Sequence, residues 1–203
     1  MIKRVYISAD YSECDGDRIV VEELCKWGKD NLHKVEYKDM AAVASGSVSK
    51  DPDCRACDLK AEFNRQINAS SAVIFIVGDR TATRTAGKFC RRNSEGPLCS
   101  CTPYKQNING RTTCKIWGST YTPGDDEDVG EINNYSYLKH EFEQAKKKGK
   151  PIIILYNSLR KERAWLPAYM IGYEDYGQPF WIYNSKREKV GNYSYIKQVL
   201  GYE

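Results

Sequence analysis

The chain has 203 residues, 41% of them hydrophobic, which suits one domain of moderate size with a buried core. Its net charge of +4, from 31 basic and 27 acidic residues, is spread along the chain, and no arginine-rich arm or basic-aromatic repeat points to nucleic acid. No stretch approaches the roughly 20 apolar residues of a membrane span, and the opening M-I-K-R-V-Y-I runs straight into a strand without a secretory signal, so the expectation is a cytoplasmic protein whose eight cysteines are reduced thiols.

Arg4 to Ser8 reads as a first strand, and A-D-Y-S-E-C-D-G-D after it as a polar loop. Ile19, Val20, Leu24 and Trp27 then suit a helix that begins near Asp17, with Asp15 or Asp17 as its cap. Lys34 to Tyr37 reads as a second strand, and residues 38–53, a small-residue stretch with Gly, Ser and Pro, as a loop. Cys57 to Asn68 carries Leu59, Phe63 and Ile67 at helical spacing. Ala72 to Val77, A-V-I-F-I-V, is the most apolar run and the expected central strand. Residues 84–134 break the alternation with four cysteines, scattered Gly and Pro and an acidic patch, and are read as an insertion, with Lys115–Trp117 a short strand inside it. Tyr135 to Lys148 reads as a charged amphipathic helix, Ile152 to Tyr156 as a buried strand, Phe180 to Tyr183 as a last strand and Tyr193 to Leu200 as a closing helix. The order β-α-β-α-β-insertion-α-β-(α)-β-α predicts a single α/β domain over 1–203, doubly wound on a mainly parallel sheet of flavodoxin-like type. Ligands in such sheets bind beyond the carboxyl ends of the strands, so the loops after Ser8, Val77 and Tyr156 mark the expected site.

Two carboxylates on the charged helix separate by phase. Tyr135, Leu138, Phe142 and Ala145 form an apolar stripe at about 100° per residue. Glu143 lies roughly 120° from its centre and is expected in water, and Glu141 roughly 80° away, at its rim, with Tyr137 one turn before it. His140 falls on the far face and is expected to be solvated. Ser8, Ala9, Asp10 and Tyr11 follow the first strand, where Ser and Asp also serve turn chemistry. Asp79 and Arg80 follow the central strand, and Asn157 the strand after the charged helix; a surface ion pair is the simpler reading of Arg80. Tyr137 either stacks on a ligand ring or packs. Cys54-x-x-Cys57 has ligand or redox spacing, and Cys90, Cys99, Cys101 and Cys114 cluster in the insertion, but the irregular spacing argues against a metal centre. A catalytic cysteine needs a histidine base, and only His33 and His140 are available.

Three motifs, in order, resemble a known family. R-V-Y-I-S-A-D-Y at 4–11 resembles the first strand and loop of Toll/interleukin-receptor (TIR) domains, S-S-A-V-I-F-I-V-G-D-R-T at 70–81 resembles a later TIR strand and its turn, and Y-L-K-H-E-F-E-Q-A-K-K-K-G-K-P-I-I-I-L at 137–155 resembles the helix with the catalytic glutamate and the strand after it. Tyr137 stands where Trp is common, Glu141 stands at the glutamate, and Ala9 replaces the usual His or Ser. Within TIR domains the chain is most similar to the TIR-like ThsB proteins of Thoeris antiphage systems; the insertion at 84–134 departs from the pattern. The resemblance implies an enzyme that cleaves the nicotinamide–ribose bond of NAD, its substrate rather than a resident cofactor, and makes an ADP-ribose-derived signal of cyclic form that activates an effector protein. It implies Glu141 as the catalytic carboxylate, and Ser8, Ala9, Asp10, Tyr11, Asp79, Tyr137 and Asn157 near the nucleotide, with self-association open and neither membrane nor nucleic acid as partner. The alternatives are a TIR-like interaction module without activity and a phosphate or nucleotide binder of flavodoxin or response-regulator type, which the lack of a Gly-rich loop after the first strand weakens.

Overall fold

A computed structural model describes residues 2–9, 16–29, 35–39, 55–84 and 136–202, with side chains described throughout except at 55–61. Residues 40–53 of the loop read at 38–53, and 85–134 of the insertion read at 84–134, including Lys115–Trp117, lie outside the described residues. So do Asp10, Tyr11, Cys54, Cys90, Cys99, Cys101 and Cys114.

Among the described residues five strands form one parallel sheet. They are β1 (Lys3–Ser8), β2 (Val35–Asp39), β3 (Ala72–Val77), β4 (Ile152–Tyr156) and β5 (Gln178–Pro179). Their order is β2-β1-β3-β4-β5, the flavodoxin-like arrangement. β3 lies at the centre because every one of its six side chains is apolar and buried. β1 pairs with it from Val5↔Ala72 to Ser8↔Phe75, and β4 from Val73↔Ile152 to Val77↔Tyr156. The carboxyl ends of β1, β3 and β4 therefore share one edge of the sheet.

Among the described residues four α-helices cover the two faces: α1 (Asp17–Gly28), α2 (Arg55–Asn68), α3 (Tyr137–Lys147) and α4 (Tyr193–Val199). The side-chain period of two divides β1 between them. Val5, Ile7 and Ala9 join a core with Val20, Val21 and Leu24 of α1 and Ile196 of α4. Tyr6 faces the opposite core, with Phe63 and Ile67 of α2 and Phe142 and Ala145 of α3. Among the described residues no helix is long and apolar enough to cross a membrane.

Three expectations are corrected. Residues 38 and 39 belong to β2, which extends through Asp39 and pairs there with Ile7. Asp17 is the first helical residue of α1 rather than its cap; Gly16 holds the cap position without a side-chain bond. The run Phe180–Tyr183 is not a strand of the main sheet. The chain leaves the sheet after the two residues of β5, where Phe180 N–H donates to Tyr156 C=O at 2.9 Å. Trp181–Tyr183 (β6) then pairs antiparallel with Lys189–Gly191 (β7) in a separate ribbon. Its turn is set by Asn184, whose side-chain oxygen accepts from the backbone N–H of Lys186 and Glu188, both at 2.9 Å.

Candidate functional site

Helix α3 is built to hold a fixed position. The Ser136 hydroxyl caps it by accepting from Lys139 N–H at 2.9 Å. Gly149, at φ +58°, ends it in the left-handed conformation. Beyond that glycine the Lys150 ammonium donates to the carbonyls of Asn68 and Ser70, at 2.8 and 2.7 Å, and ties the helix end to the end of α2.

The buried face of α3 is wider than its apolar stripe. Leu138, His140, Glu141, Phe142, Gln144 and Ala145 are all buried, and Tyr137 packs beside them. At about 100° per residue these seven side chains span roughly 200°. One flank meets the sheet and the chain that follows it: Phe142 lies edge-on to Phe75 at 5.5 Å and to Tyr173 at 5.2 Å. The other flank meets α2: Gln144 donates to Asn68 at 2.8 Å, and Tyr137 stands edge-on to Phe63 at 5.8 Å. Glu141 falls at the centre of this arc. It is 0% exposed, not at a rim. His140, expected in water, is 8% exposed because it lies on the flank turned toward α2. Glu143 is the solvent-facing carboxylate, 51% exposed and 3.8 Å from the Lys146 ammonium.

Both oxygens of Glu141 have hydroxyl donors from β1. The Tyr6 phenol donates to Oε1 at 2.9 Å and the Ser8 hydroxyl donates to Oε2. Burial raises the carboxyl to about 8, against the pull of the Ser8 and Tyr6 bonds in the other direction. At neutral pH most of the group holds its proton, and a positive charge brought close favours the ionised form. The carboxyl sits against the carboxyl end of β1, beside the point where the order reverses between β1 and β3. That is the ligand position of this sheet class.

The other expected site residues divide. Ser8 is brought to Glu141. Ala9 is not; it is buried in the core of the opposite face. Tyr137 packs against Phe63. Asp79 and Arg80 stand exposed on the turn after β3. Asn157 belongs to a second polar cluster at the same edge, where its amide donates to Asp17 Oδ1 at 3.0 Å and its oxygen accepts from Trp181 Nε1 at 3.3 Å. Asp17 is 2% exposed, and a Cβ at Gly78 would stand 2.6 Å from its carboxylate, so only glycine lets the end of β3 approach.

Tyr6, Asp17 and Trp181 were absent from the expected set. Tyr6 had a readable signal: it precedes Ser8 by two residues on a strand and must share its face. Asp17 and Trp181 had none, since their bonds to Asn157 join distant parts of the chain. Among the described residues no group of three His, Cys, Asp or Glu stands close enough to hold a metal. Comparison with protein-family models, curated proteins and solved structures gives no match.

Proposed function

We propose that the chain is a TIR-like enzyme that consumes NAD by breaking its nicotinamide–ribose bond. One observation carries the reading: a wholly buried glutamate, gripped through both oxygens, at the ligand edge of a flavodoxin-like sheet. Two of the three motifs that resemble TIR domains meet there, since Ser8 and Tyr6 come from the first and Glu141 from the third.

The chemistry suits one carboxylate. Cleavage of an N-glycosidic bond passes through an oxocarbenium-like state with positive charge on the ribose, and a fixed carboxylate beside the ring stabilises it. The bound pyridinium is itself cationic and drives Glu141 toward its charged form before the bond breaks. Nicotinamide then leaves neutral, so the leaving group needs no strong acid. A group of the nucleotide itself then takes the ribose carbon and releases its proton, which gives an ADP-ribose-derived product of cyclic form; attack by water would give linear ADP-ribose instead. In the same proposal the product is a cytoplasmic antiphage signal read by an effector protein. Glu141 has no exposed surface, which supports a resting state that opens only on a trigger or on assembly.

Complete burial also favours a second reading. Glu141 with both oxygens satisfied is what a purely structural carboxyl looks like, and the chain is then a TIR-like interaction module without activity. Nicotinamide release and NAD loss separate the two, measured on purified protein and in cells with and without phage. Under the enzyme reading Glu141→Gln lowers release by at least about 10²-fold, while Glu143→Gln stays within about twofold because its side chain faces water. Full NAD levels in infected cells that carry the wild type would sink the enzyme reading.

A further inference from the structure

We propose that Tyr6 is a positioning residue for the reaction at Glu141: from β1 its hydroxyl fixes the carboxylate through Oε1 and stabilises the charged form. The proposal rests on the reading of Glu141 as the reacting carboxylate. Tyr6 packs under α2 and α3 with its hydroxyl engaged on Glu141 Oε1, so the role proposed for it is exerted through Glu141.

The geometry gives the phenol little freedom. The Tyr6 ring packs at 6.5 Å from Phe63, and Phe63 is held in turn by the edge-on ring of Tyr137 at 5.8 Å. Its oxygen meets Glu141 Oε1 at 2.9 Å while Ser8 takes Oε2. The two donors are two residues apart on one strand, about 7 Å along it. The carboxyl plane is therefore set by the sheet as much as by the helix that bears it. The core around Glu141 includes Tyr6 on β1, Phe63 and Ile67 on α2, Phe75 on β3, Tyr156 on β4 and Phe142 on α3, with Ser8 of β1 and Tyr137, His140 and Gln144 of α3 beside it. Among the described residues no lysine or arginine acts on Glu141, and the two hydroxyls are the groups that favour its charge against burial. A hydrogen bond to a charged group is strong enough to govern that balance.

The test compares wild type with Tyr6→Phe. Nicotinamide release is measured across the pH range, and the Glu141 carboxyl carbon is titrated by ¹³C NMR without NAD, assigned from its absence in Glu141→Gln. In Tyr6→Phe the acid limb of the rate and the carboxyl titration both move up by about one to two pH units. Release at pH 7 falls about 10- to 100-fold and recovers toward wild type at high pH. A merely structural tyrosine would lower the rate equally at every pH and leave the limb in place, which overturns the proposal. Should Tyr6→Phe fail to fold, 3-fluorotyrosine at position 6, a stronger donor of the same shape, is expected to move limb and titration down; no movement overturns the proposal. A wild type that never releases nicotinamide overturns the catalytic reading and the positioning role together. A wild type that releases it, with limb and signal unmoved by the change at Tyr6, overturns the positioning role alone.

Discussion

Glu141 is a carboxyl whose burial has a cost that depends on pH. Folded, it keeps its proton up to about 8; unfolded, it loses it near 4.5. Between those values unfolding releases a proton, so the stability this group contributes is full below about pH 4.5 and falls as pH rises toward 8. The slope is about 1.4 kcal/mol per pH unit across that window. Glu141→Gln keeps the shape and can bond both Tyr6 and Ser8, but it cannot ionise. The variant is therefore expected to match wild type near pH 4.5 and to exceed it by about 4 kcal/mol at pH 8. Urea denaturation of both proteins at the two pH values reads the difference. Parallel stability curves would mean that Glu141 ionises as readily folded as unfolded, against its burial.

At the scale of elements, the positions of β1, β3, β4 and α3 are legible in the sequence because their apolar residues recur at the period of each element. The depth of Glu141 is not. An apolar stripe records only the flank of α3 that meets the sheet. The flank against α2 is polar, with Gln144 bonded to Asn68 and His140 beside it, and polar packing leaves no hydrophobic period to count. The run Phe180–Tyr183 misleads for the opposite reason. It is apolar and β-branched enough for a sheet strand, but its partner is β7, whose three residues carry one large apolar side chain. The helix that bears Glu141 depends on its cap. Ser136→Ala removes the oxygen that accepts from Lys139 N–H and is expected to cost about 1 kcal/mol, with Ser136→Asp retaining most of it. Chemical denaturation measures this. A loss several-fold larger would show that Ser136 has a packing role beyond the cap.

Among the described residues two cores are divided by one sheet, and each lies beside a buried carboxyl. Glu141 stands among the side chains under α2 and α3, bonded to Tyr6 and Ser8, whereas Asp17 of α1 stands at the edge of the sheet beside Asn157 and Gly78. Neither the tie of Asp17 to Asn157 nor that of Tyr6 to Glu141 is announced by local pattern, because each joins residues more than a hundred positions apart. The second core also fastens the end of the chain. Trp27 on α1 lies 4.8 Å from the Tyr193 ring of α4 and 5.6 Å from Phe180 at the start of the ribbon. Gly191 of β7 presses against it so closely that a Cβ there would stand 2.6 Å from the indole and 2.9 Å from Phe180. Gly191→Ala is accordingly expected to cost about 1–3 kcal/mol by overpacking. In a Trp27→Leu background the same change costs less, because the indole is gone, but not nothing, because Phe180 still stands in the way. A double-mutant cycle by urea denaturation measures the coupling, and it is expected to exceed about 0.5 kcal/mol. Additive costs would mean that the ribbon yields at Gly191 without involving α1, and that the far ends of this core are held by separate contacts rather than by one.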